Sequence, residues 1–170
     1  MVTLRTIDDQ IADHPFFAGL GSDFLHFIAG CGRNRYVEGG EYLAHEGDDA
    51  NAFFLIRIGK ISIETNVPGR GPVVLETFGA GDIAGWSWIC PPYKWAFDVV
   101  AREAASFIEI NGLCLRGKCE ADPVLGYAVL KRFAGMMSER LRDTRLRLLD
   151  LYGNDPRASA ELKSHSKAQW

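Results

Sequence analysis

Hydrophobic and polar positions along the 170-residue chain change their period twice, and the changes divide it into three zones. Residues 1–30 read as helical. Within them "GSDFLHFIAG" offers Ser22 as an N-cap, the apolar set Phe24, Leu25, Phe27 and Ile28, and Gly30 as a stop. Residues 33–111 read as strands. "AFFLIRIGKISIET" is rich in β-formers, with Gly59 at a turn or bulge and Ile61 and Ile63 alternating with Lys60, Ser62 and Glu64. "PVVLETFG" and "FDVVAREAASFIEI" behave similarly, and turn chemistry recurs at Gly39-Gly40, Gly47-Asp48, Pro68-Gly69 and Gly79–Asp82. Short strands so punctuated predict a sandwich, barrel or jelly roll.

Helical period returns over 122–153. Asp122 is a good N-cap, Pro123 suits the first helical position, and Gly153 with Pro156 beyond it marks the end. The helix would be about 45 Å long. Leu130, Ala134, Met137, Leu141, Thr144, Leu148 and Leu151 recur at alternating spacings of four and three, a seam of about three heptads. A second apolar set, Val129, Phe133 and Met136, would pack on the strands, and two apolar faces favour pairing into a homodimer. Its basic residues, Lys131, Arg132, Arg140, Arg142, Arg145 and Arg147, are offset by Glu139, Asp143 and Asp150 and read as a solvated face. Residues 154–170 are polar and aperiodic, a loose tail. The predicted division is 1–122, 123–153 and 154–170.

Composition narrows the function classes. Hydrophobic residues make up 47% of the chain, enough for a core, and the net charge of −3 gives no basic excess to invite nucleic acid. No apolar run approaches the roughly 18 residues of a membrane span, and the acidic start is unlike a signal peptide, which predicts a cytoplasmic chain. Cys31, Cys90, Cys114 and Cys119 are scattered and read as reduced, partly buried thiols. His14, His26, His45 and His165 are dispersed, no His-x-His occurs, and no Gly-x-Ser-x-Gly nucleophile motif exists. No catalytic or metal site is therefore expected. Arg57, Lys60 and Arg102 read as surface strand residues.

Three segments then become specific together: "FFAGL", "VEGGEYLAHEGDDANAFFLIRIGKISI" at 37–63, and "FGAGDIAG". In this order the chain resembles the cyclic-nucleotide-binding domain of the catabolite-activator type over about residues 15–152. The resemblance implies a mainly β fold: a double-stranded beta-roll, jelly-roll-like, with an N-terminal helix and a long C-terminal helix that makes a dimer through Leu130, Met137, Leu141 and Leu148. It makes Gly81-Asp82-Ile83-Ala84-Gly85 the opening of a phosphate-binding cassette, where a short helix aims backbone N–H groups at the cyclic phosphate. It also implies a glutamate for the ribose hydroxyl and an arginine for the phosphate. The glutamate position holds Trp86, followed by Ser87 and Trp88. The arginine position falls at Lys94 or Trp95, before Ala96.

Both charged anchors are thus absent, unless Lys94 partly replaces the arginine without its bidentate fork. A hydrogen bond to a charged group contributes about 1.5–3 kcal/mol, so losing two weakens cyclic nucleotide by about two to four decades. Two readings follow. In one, Trp86, Trp88 and Trp95 wall an altered pocket for another anionic or aromatic ligand, with Lys94 its anion partner. In the other, the indoles plug a dead pocket on a dimeric scaffold that binds a protein partner. Cys90-Pro91 resembles the Cys-Pro element of haem-responsive proteins; the cysteine pattern of the iron–sulfur sensors of this superfamily is missing. The related regulators continue into a helix-turn-helix domain, whereas 17 residues follow Gly153. The sequence therefore predicts a stand-alone, non-catalytic ligand-sensing or regulatory module that does not read DNA directly.

Overall fold

The computed structural model describes residues 5–153, with side chains to Leu149; the expected tail lies outside them. They divide into two compact units, the first running to Leu130 and the second beginning at Lys131.

The first unit opens with α1 (Ile7–Ala12), a single 3₁₀ turn (Pro15–Phe17) and α2 (Ser22–Ala29). A reciprocal capping box between Thr6 and Asp9 starts α1. The N-cap of α2 is Gly21, not Ser22, and no side chain caps it. Gly30 closes α2 with right-handed backbone; a Cβ there would sit 3.1 Å from Lys118 Nζ, which donates to the Phe27 carbonyl at 2.5 Å. No left-handed turn is formed at that glycine.

Eight strands follow: β1 (Gly32–Val37), β2 (Tyr42–Ala44), β3 (Ala52–Ile58), β4 (Ile61–Val67), β5 (Gly71–Phe78), β6 (Ile83–Ala84), β7 (Asp98–Ala101) and β8 (Ala105–Asn111). They form two antiparallel four-stranded sheets, ordered β1-β8-β3-β6 and β2-β7-β4-β5. This is the expected beta-roll. Gly59 sits at φ +85° between β3 and β4, beside a register shift at Ile56/Ile58; a Cβ would lie 2.3 Å from the Ala104 carbonyl. Only glycine fits there.

Side-chain alternation gives the roll its interior. Phe54, Ile56, Ala84, Ala105 and Phe107 of the first sheet meet Ile61, Phe78, Val99 and Ala101 of the second in one buried cluster. The opposite face of the first sheet is buried too, at Phe53, Leu55, Ile108 and Ile110. This departs from the amphipathic reading of β4 as well: Ser62 and Glu64 are buried beside Ile61. Ser62 donates to Glu64 at 2.7 Å and Arg102 pairs with the same carboxylate at 2.6 Å, so the buried charge is satisfied. Arg102 is thereby committed to β4.

Beyond β8 comes α3 (Gly112–Ala121), which the period of the sequence does not announce. Its signal is Asn111, whose side chain accepts from the Cys114 N–H at 2.9 Å. Then α4 (Pro123–Gly153) runs through to the last described residue. Asp122 caps it as expected, accepting from Val124 and Leu125. Within the first unit Leu125 and Val129 of α4 are buried.

Cys31 and Cys114 correct the expectation of four free thiols. The two Cα atoms are 5.8 Å apart and the sulfurs are bonded, while Cys90 and Cys119 remain free. Spacing along the chain could not reveal this, because 83 residues separate the pair.

Candidate functional site

The segment from Gly81 to Ala96 contains β6 and the loop that leads from it to β7. Gly81 takes φ +89° and donates its N–H to the Ile56 carbonyl at 2.9 Å. Asp82 folds back to accept from the Gly79 N–H at 2.8 Å, closing the turn. Its carboxylate is therefore structural.

After Gly85 the expected cassette helix is absent. Residues 85–97 hold turns and bends, with the Ile89 N–H on the Trp86 carbonyl and the Tyr93 N–H on that of Cys90. The sequence offers the reason: Cys90-Pro91-Pro92 removes two donors and restricts the residue before each proline, so no helical run fits.

The three tryptophans do not form one wall. Trp95 is 6% exposed and belongs to the cluster inside the roll, stacked on Phe54 with ring centroids 5.9 Å apart and planes at 6°. Its indole lies against Gly85, where a Cβ would come within 2.5 Å of Cη2. Gly85 at φ +95° is thus demanded twice, by backbone and by ring. Trp88 is 1% exposed and stacks on Phe53, 5.0 Å away at 15°. Phe53 and Phe54 are neighbours on β3 and point to opposite faces, so the two indoles lie on opposite sides of one sheet. Trp86 is 39% exposed, Ser87 is half-buried in the following turn and Ala96 is exposed.

Lys94 faces away from Trp95. Its ammonium lies 2.5 Å from Asp49, and both side chains are about half-exposed or more. Backbone bonds hold this arrangement: Trp95 donates to the Asp48 carbonyl, Gly47 to that of Trp95, and Ala50 to that of Tyr93. Adjacent residues of an extended stretch alternate sides, so seating Trp95 in the roll sends Lys94 to the surface.

Sequence reasoning missed the residues of α3 that hold this loop. Arg116 donates to the Trp88 carbonyl at 2.7 Å and stacks over the Tyr93 ring at 3.9 Å. Gly112 lets Trp88 approach, since a Cβ there would be 2.8 Å from that of Trp88. The N-terminal segment also reaches this neighbourhood. His14 is buried, accepts from the Phe16 N–H through Nδ1, and feels the charge of Asp82. Burial pulls its pKa below the ordinary histidine value, and Asp82 opposes this more weakly.

Two surface cavities stand out among the described residues, and none of Gly81–Ala96 lines either. Cys90 is exposed on its turn and lines neither of them. His45 stacks on Tyr42 and faces Asp98, as a structural surface histidine does.

A family model described as cyclic nucleotide-binding domain matches residues 34–122. The chain belongs to that family. Solved structures share the fold at low identity. A cyclic nucleotide-binding protein of Geobacter metallireducens is 22% identical with a TM-score of 0.72, over 79% of this chain and 97% of that one. A cyclic nucleotide-binding domain of Methylobacillus flagellatus is 22% identical with a TM-score of 0.69, over 85% and 79%. The catabolite activator protein of Thermus thermophilus is 21% identical with a TM-score of 0.64, over 81% and 62%. Cyclic nucleotide-binding domains are regulatory modules.

Proposed function

We propose that this chain is a non-catalytic regulatory module in which the cyclic nucleotide site is closed by its own side chains. It acts as a dimeric scaffold for a protein partner. One observation carries the reading: Trp95 lies inside the roll against Gly85 and Phe54, where the cassette would face a nucleotide. The altered-pocket reading needs Lys94 to meet an anion, and Lys94 is spent on Asp49 at the surface.

Pairing would run through α4. Leu130, Leu141 and Leu148 are half-exposed and Met137 is partly covered, which leaves an apolar stripe for a second copy. No helix among the described residues is long and apolar enough to cross a membrane. We place the module in the cytoplasm.

The test is calorimetric titration of the chain with cyclic AMP and cyclic GMP. Loss of both anchors puts the dissociation constants above about 100 µM. A low-micromolar isotherm for either would overturn the closed-site reading.

A further inference from the structure

Four cysteines stand in the chain, and two of them are unremarkable. Cys90 is exposed on a turn, and Cys119 is half-buried with its thiol pushed up by burial and by Asp122 and Glu120. The bonded pair is placed differently. Cys31 follows the end of α2, its carbonyl accepting from Asn111; Cys114 sits in the first turn of α3, capped by the same Asn111. Both line an open cavity of about 300 Å³, together with Gly30, Arg33, Glu109 and Asn111. A purely structural staple gains nothing from such an opening.

The rim has a sign. Arg33 and Glu109 line the cavity and bond at 2.6 Å, and Arg35, outside the lining, bonds the same carboxylate at 2.6 Å, so two guanidinium groups meet one carboxylate beside the opening. The first turn of α3 adds its own positive end beside Cys114. Both features stabilise thiolate and attract an anionic attacker.

We propose that Cys31–Cys114 is a reversible thiol–disulfide site, opened under native conditions by a small thiol that carries a carboxylate. The thiolate enters from the cavity and attacks the Cys31 sulfur. The disulfide breaks, and Cys114 leaves as a thiolate held at the start of α3, the better leaving group for that reason. A second thiol then attacks the mixed disulfide at its own sulfur. Cys31 is released, and the two small thiols depart joined as a disulfide. Two electrons pass to the protein, and two thiols stand where one S–S bond was. The bond ties the α2–β1 junction to the helix that carries Gly112 and Arg116 against Trp88, so its state reaches the loop of Gly81–Ala96.

The experiment treats the full chain with thiol in the absence of denaturant, removes the thiol, and then labels with maleimide in denaturant, because Cys31 is buried, with intact-mass and peptide analysis. Oxidised protein should take two labels, at Cys90 and Cys119, and four after glutathione; oxidised glutathione should restore two. Arg33→Ala should slow reduction by glutathione about threefold or more, and leave the rate with neutral β-mercaptoethanol unchanged. In the reduced chain, amide exchange over 112–121 should be about threefold faster or more. Four labels under every oxidant, a crosslink joining other cysteines, or reduction only in denaturant would each overturn the proposal. Equal slowing of both thiols would remove the charged rim from it, and unchanged exchange would remove the link to α3.

Discussion

Replacing Trp95 by alanine separates a closed site from a live one. The indole is almost wholly buried between Gly85 and Phe54. A ring of this kind removes roughly 200 Å² from water, or about 5 kcal/mol at 25 cal/mol per Å². Measured Trp-to-Ala changes in cores fall at about 3–5 kcal/mol, because neighbours collapse partway into the cavity. The same range is expected here, with a melting temperature lower by about 6–20 °C for a chain of this size. Trp86→Ala is the comparison: its side chain is more than a third exposed, so about 1 kcal/mol or less is expected. Lys94→Ala should stay within about 0.5 kcal/mol, since the Asp49 pair is exposed and screened. Urea unfolding of the three variants beside the parent gives the ordering, and added indole should restore part of the stability of Trp95→Ala by filling the cavity. Equal costs for Trp95 and Trp86, or less than about 1 kcal/mol for Trp95, would show that the roll interior does not depend on the plug.

Two further outcomes are expected. Leu141→Glu puts like charges face to face at the middle of the proposed seam, so light scattering at micromolar concentration should show a dimer for the parent and a monomer for the variant. His14, with its pKa lowered by burial, binds its proton more readily in the unfolded chain. Its contribution is therefore fully present above about pH 6.5 and is lost as the pH falls below that value, and His14→Gln should flatten this part of the stability–pH curve.

The order of elements was legible because it is written locally. Alternation and turn residues marked the strands, Asp122-Pro123 marked the start of α4, and three glycine-bearing segments marked the family. Sequence could not decide which side of a sheet each indole would take. Trp86, Trp88 and Trp95 look equivalent on the page, yet one is exposed and two stack on adjacent phenylalanines facing opposite ways. That choice rests on Gly85 and Gly112, which clear space only when distant segments meet. Helix α3 escaped because its apolar period is weak, and its stability comes from the Asn111 cap and from contacts with β3 and β8. Cys31 and Cys114 were beyond reach for the same reason: a bond across 83 residues depends on the two ends being brought within 5.8 Å, and only the packing of α2, β1 and α3 brings them there.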